Sequence, residues 1–144
     1  MQVLPLQKFV KAEISFGCHV KFFEIIENIT MNIKELISLI DGKLVCGNPE
    51  SEYTIHAAFA SDLMSDVLTL DNISPLLITG LCNLQTIRTA EMADIHVIVI
   101  ARGKKVTEDM IQLAMESNII LIETPFSVFR SCGILYQNQV KPVF

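Results

Sequence analysis

Apolar and polar positions change their rhythm several times along the chain. In the segment 31–40 the apolar residues Ile33, Leu36, Ile37 and Ile40 recur at helical spacing, which gathers them on one buried helix face. Asn32 precedes this stripe and Glu35 follows three residues later, an amide version of the capping box. The pattern predicts a helix over 33–40 that stops at Asp41-Gly42. Lys43–Cys46 reads as a short strand closed by Gly47-Asn48-Pro49, and 54–60 as a second strand. Ser61 is expected to cap a short turn that carries Asp62 and Asp66.

From Leu76 onward the rhythm becomes regular. Residues 76–79 form a continuous, largely apolar run ending at Gly80, followed by a predicted helix over 84–93 with Asn83 as its cap. The run 96–101, His-Val-Ile-Val-Ile-Ala, is the strongest strand signal in the chain. Thr107 is positioned to cap the next helix, with Glu108 and Asp109 in the first turn where the helix dipole favours acids. Met110, Ile111, Leu113, Ala114 and Met115 supply its expected buried face. A strand over 119–122 follows. Thr124 is expected to cap a last helix with Pro125 at its first position, running to about Tyr136. Uninterrupted Val, Ile and Leu runs mark strands covered on both faces, and helices between them imply right-handed crossovers. The expected fold class is α/β, a layered α/β/α arrangement with a mainly parallel sheet.

The first thirty residues stand apart. They hold Phe9, Phe16, Phe22 and Phe23, half of the eight phenylalanines, and balance three lysines with three glutamates. Only 20–29 there has a helical pattern. The expected organisation is an extension over 1–30 and a domain over 31–144.

Composition narrows the class of function. Of 144 residues 51% are apolar and 19% charged, and the mean hydropathy is +0.45. A membrane helix needs roughly 20 consecutive apolar residues. The longest uncharged run here, 72–87, has 16 and contains Pro75 and Gly80, so the apolar content is expected in a core. The net charge of −5 argues against nucleic acid as a partner, because phosphate backbones demand a clustered positive face. Arg102, Lys104 and Lys105 form the one basic cluster. The four cysteines, at 18, 46, 82 and 132, show no metal-ligand spacing, and read as thiols in a reducing, cytoplasmic compartment.

In open parallel sheets, ligands bind beyond the carboxyl ends of the strands. Three segments converge there: 79–83, with Thr79, Gly80 and Asn83; 101–105, with Arg102, Gly103 and Lys104; and 123–125, with Thr124. Glycines, capping hydroxyls and helix N-termini at such loops suit an anion. These seven residues are the candidate site for a small anionic metabolite. The plainer alternative is that the glycines only turn the chain and the basic residues are solvated. No dinucleotide or P-loop glycine pattern, GxSxG elbow or HExxH pair occurs, so no catalytic residue is assigned. His19, His56 and His96 are scattered. Cys46, Cys82 and Cys132 are the candidates for a redox or iron-sulfur site, with an approach of Cys82 to Cys132 its basis.

The succession Leu77-Ile78-Thr79-Gly80, Thr89-Ala90, Val97-Ile98-Val99-Ile100, Arg102-Gly103, Thr107-Glu108, Ile111-Gln112-Leu113-Ala114, Ile119-Ile120-Leu121, Thr124-Pro125, Phe129 and Ser131-Cys132-Gly133 resembles the DRTGG domain family. With helix 33–40 and 44–47 as that family's opening segment, the resemblance covers residues 31–137. The family's five-letter signature is absent as such, and Ile78-Thr79-Gly80 and Ala101-Arg102-Gly103 stand in its threonine-glycine turns. The resemblance implies a domain similar to the amino-terminal domain of HPr kinase and to a domain of some phosphotransacetylases and CBS-containing pyrophosphatases. It implies a regulatory role and dimer contacts. Stand-alone copies resemble small proteins encoded beside iron-only hydrogenase subunits. The expectation is thus a non-catalytic, homodimeric regulatory or assembly module binding a small anion without a cofactor. The alternative is an iron-sulfur or redox accessory protein of a hydrogenase.

Overall fold

The computed structural model describes residues 30–70 and 73–144. The phenylalanine-rich segment and the helix expected over 20–29 lie outside the described residues.

Strands β5 (Leu76–Thr79), β6 (Val97–Ile100) and β7 (Ile120–Glu123) form the centre of a six-stranded sheet. All their residues are buried, as runs without alternation require. β4 (Ala57–Ala60) flanks β5, and β8 (Lys141–Pro142) lies outside β4; β2 (Lys43–Cys46) closes the other edge, giving the order β2-β7-β6-β5-β4-β8. Every neighbouring pair is parallel except β2 with β7. The mainly parallel α/β/α expectation holds.

Alternate residues of the central strands serve the two faces. Leu77, Ile98, Ile100 and Leu121 pack with Met64 and Val67 of helix α2 (Met64–Val67), Ile87 and Ala90 of α3 (Leu84–Met92), and Met110 and Ala114 of α4 (Glu108–Glu116). Leu76, Ile78, Val97, Val99, Ile120 and Ile122 pack on the opposite side with Ile33 and Leu36 of α1 (Ile33–Leu39), with Ile40 that caps its end, and with Leu135 of α5 (Val128–Gln137). Beside this second layer, β1 (Met31–Asn32) pairs antiparallel with β3 (Thr54–Ile55), burying Met31 and Ile55.

The helix starts follow the capping pattern closely. Asn32 Oδ1 accepts from the Glu35 N–H while Glu35 Oε2 accepts from the Asn32 N–H. Asn83 accepts from the Thr86 N–H and Thr107 from the Met110 N–H. Four details differ. The run 54–60 is broken at His56, so that one half joins β1 and the other the main sheet. Ser61 Oγ accepts from the Leu63 N–H, but the cap position of α2 is Leu63 itself, and Asp62 lies before the helix. Met115 is 66% exposed, because a nine-residue helix lying on the sheet through Met110 and Ala114 turns its far side outward. Ser127, not Thr124, caps the last helix. The buried Thr124 hydroxyl donates instead to the Ile40 carbonyl and accepts from the Phe126 N–H, tying β7 to the end of α1.

Candidate functional site

Parallel register sets the site. Thr79 pairs with Ile100 and Ile100 with Glu123, so the three loops predicted to converge leave the sheet side by side. The fourth strand ends level with them, since Ala60 pairs with Ile78, and it delivers Asp62 to the same edge.

The Gly80 peptide is the centre of this edge. Its N–H donates to Asp62 Oδ1 at 2.6 Å, and the Thr79 hydroxyl donates to the same oxygen at 2.9 Å. Its carbonyl accepts from Arg102 Nη2 at 2.8 Å and from Lys104 Nζ. Arg102 Nη2 also reaches Asp62 Oδ2 at 3.2 Å. The guanidinium lies where a side chain at position 80 would begin: a Cβ there would stand 2.2 Å from Arg102 Nη2, so any residue other than glycine would push Arg102 off the Gly80 carbonyl. Arg102 and Gly103 are both left-handed, with φ of +69° and +64°. The Arg102 N–H donates to the Phe126 carbonyl at 2.8 Å and the Gly103 N–H to the Thr124 carbonyl at 2.9 Å, which brace the turn that aims the guanidinium at Gly80.

Burial pushes the Asp62 carboxyl upward, yet the Gly80 N–H, the Thr79 hydroxyl and the charges of Arg102 and Lys104 outweigh it and hold the group below the usual aspartate range. Glu123 behaves alike. Its burial is overcome by the Val106 N–H at 2.8 Å and by Lys105 at 3.0 Å, which keep it ionised below the ordinary glutamate value.

The predicted residues therefore divide. Thr79, Gly80, Arg102 and Lys104 meet in one network. Gly103 shapes the turn that presents Arg102. Asn83 is occupied as the cap of α3, bonded to the Thr86 N–H at 3.0 Å, and Thr124 is committed to Ile40. Asp62 was missed as a site residue because Ser61-Asp62 also fits a capped turn; its position after a strand parallel to β5 is the signal that would have found it. A cleft of about 460 Å³ opens beside the network, lined by Ser61, Asp62, Arg102, Ser127, Val128 and Phe129.

No protein-family model and no curated protein sequence matches this chain. A solved structure does: the crystal structure of the CBS and DRTGG domains of the regulatory region of Clostridium perfringens pyrophosphatase, complexed with its activator, diadenosine tetraphosphate. The TM-score is 0.62 at 16% sequence identity, covering 74% of this chain. The fold is DRTGG-like. The chain spans 46% of that structure's own length.

The cysteines of this DRTGG-like domain do not assemble. Cys82 packs in the layer of α3 and α4, near the Lys105 carbonyl and Met110, whereas Cys132 packs in the layer of α1 and α5. The sheet separates them, so the expected approach does not occur. Cys46, Cys82 and Cys132 are free thiols, and burial raises the pKa of each. Among the described residues no group of three or more His, Cys, Asp or Glu is placed to hold a metal ion, and no helix is long and apolar enough to cross a membrane. His96 stacks edge-on against Tyr53, and His56 bonds the Thr54 hydroxyl.

Proposed function

We propose that the protein is a non-catalytic regulatory module that binds a small anionic ligand at the carboxyl ends of its parallel strands and works as a homodimer. The observation that carries the ligand is the convergence of Arg102 and Lys104 on the Gly80 carbonyl beside a cleft bounded by the start of α5. Two cations share one neutral acceptor there and one carboxylate, which leaves positive charge for an anion. The first N–H groups of a helix lack intrahelical acceptors, so the Val128 and Phe129 end of the cleft adds to the same preference.

A regulatory rather than catalytic role is supported by how the site's reactive groups are spent. The Thr79 and Thr124 hydroxyls and the Asp62 and Glu123 carboxylates are all held in hydrogen bonds to backbone groups or to each other. A nucleophile or general base must instead be directed at the substrate. The homodimer is supported by an exposed apolar face on α5, where Phe129 is 88% and Tyr136 69% exposed.

Thermal unfolding in the presence of inorganic phosphate, pyrophosphate, adenine nucleotides and diadenosine tetraphosphate tests the ligand. A ligand at a hundred times its Kd adds about 2.7 kcal/mol, which raises the melting temperature by roughly 10 °C for a domain of this size. Arg102→Ala is expected to remove that rise. It should unfold near the wild-type temperature without ligand, because the Arg102–Asp62 pair is half exposed and such pairs contribute little. Absence of a shift with every anion rejects the site.

A further inference from the structure

Asp62 occupies an unusual place for a carboxylate at a site that attracts anions. One of its oxygens takes the Gly80 N–H and the Thr79 hydroxyl, and the other faces the Arg102 guanidinium. These are three donors of different kinds directed at one anionic group, the set that a phosphate or carboxylate ligand would use. The Asp62 side chain is nevertheless 51% exposed and lines the open cleft with Arg102 and the start of α5. It is thus held by specific bonds but not sealed in. It enters the site on a short turn, 61–63, in which Ser61 Oγ accepts from the Leu63 N–H at 3.0 Å, and the turn leads directly into α2, whose Met64 and Val67 are buried against the core.

We propose that Asp62 is a built-in competitor for the anionic ligand: its carboxylate occupies the donors of Gly80, Thr79 and Arg102, and the ligand binds by displacing it. This inference rests on the anion site proposed above and adds its regulation. With Asp62 seated, the cluster of Arg102 and Lys104 carries one net positive charge. With Asp62 turned out, the Gly80 N–H loses its acceptor, and the charges of Arg102, which lines the cleft, and of Lys104 are left without a carboxylate. The displacement exchanges one carboxylate for another anion on the same donors, so few hydrogen bonds are lost. The 61–63 turn must move with Asp62, and occupancy of the site is thereby carried to α2. A weak ligand leaves the competitor in place, whereas a ligand bearing several negative charges removes it.

Isothermal titration of the full chain with inorganic phosphate tests the competition. Asp62→Asn keeps size and an acceptor for the Gly80 N–H but removes the competing charge, and is expected to bind phosphate at least tenfold more tightly than the wild type. The double variant Asp62→Asn with Arg102→Ala should lose that gain. Equal or weaker binding by Asp62→Asn, with the wild type still binding, overturns the competitor and leaves the anion site standing. No binding by either protein overturns both. A second measurement does not depend on the variant folding: the Gly80 and Leu63 amide resonances of the wild type should shift together as phosphate is added. Phosphate binding that leaves both amides unmoved overturns the displacement.

Discussion

Glu123 shows how a single side chain at the end of a strand can be both buried and charged. It is 6% exposed, closes β7, and accepts from the Val106 N–H and from Lys105. A carboxylate desolvated in this way is stable only while those donors face it. Its folded-state pKa lies below the unfolded one, so the unfolded chain binds more protons in the acid range. The stabilisation is complete above the ordinary glutamate value of about 4.3 and is lost as the pH falls through the lower folded value. Glu123→Gln is expected to cost about 1–3 kcal/mol at pH 7. The gap from wild type should narrow on acidification toward pH 3 in urea titrations; a gap that stays constant with pH rejects the assignment. None of this was legible one residue at a time. Glu123 reads as the polar stop after an apolar strand, and Thr124-Pro125 reads as a helix start. In the fold the strand continues through Glu123, and the Thr124 hydroxyl is drawn to a carbonyl 84 residues away. Local propensity carries no record of such a partner.

Four of the five helices described, all but α2, end on one repeated device. Gly42, Ile95, Ile119 and Val140 each donate an N–H to the carbonyl five residues earlier, of Ile37, Ala90, Ala114 and Leu135. The residue before each is left-handed: Asp41, Asp94, Asn118 and Gln139, with φ between +50° and +68°. This is a Schellman turn built without glycine at its left-handed position. In three cases the donor residue is a buried apolar one that begins or precedes the next strand. Asp and Asn tolerate the left-handed region through local bonding, but Gln has no such help and bears a cost of roughly 1–2 kcal/mol. Gln139→Gly is therefore expected to stabilise the protein by about 1 kcal/mol after its greater unfolded-state entropy is subtracted. Asn118→Gly should gain less. Urea midpoints decide this, and a destabilised Gln139→Gly would contradict it. At this scale much was readable, because Asn32, Asn83 and Thr107 act through neighbours three residues away, and the Val97–Ile100 run needs no partner to be recognised as buried. The two-residue strands β1 and β8 were not, and β3 was read only as the start of a longer strand. β1 and β8 exist only because a strand distant in sequence pairs with them, and Thr54–Ile55 and Ala57–Ala60 form one unbroken pattern until their separate partners divide them at His56.

In the molecule as a whole, the central apolar strands of the described residues are buried on both faces, yet α5 leaves an apolar stripe at the surface. Phe129, Cys132, Gly133 and Tyr136 follow helical i, i+3, i+4, i+7 spacing, and together with Phe144, 87% exposed, they border an apolar cleft of about 400 Å³. Gly133 has nothing within 4 Å of where a Cβ would stand. The stripe thus presents two exposed aromatic side chains with a glycine between them, and it is the face on which the proposed homodimer would pair, the same patch of both copies meeting across a twofold axis. Patches of this kind with an apolar centre are typical of the cores of subunit interfaces. The same helix begins at the anion cleft, where Val128 and Phe129 line it beside Asp62 and Arg102, so a ligand at the cleft and a partner on the stripe would both act on α5. In light scattering at tens of micromolar, the wild type is expected to show about twice the chain mass of 16.1 kDa. Phe129→Asp should return the monomer mass while remaining cooperatively folded, because a side chain 88% exposed contributes little to the core, and its melting temperature should fall only by the stabilisation that association gives the wild type. A wild type that scatters as a monomer removes the dimer, while a dimer that persists in Phe129→Asp moves the interface away from α5.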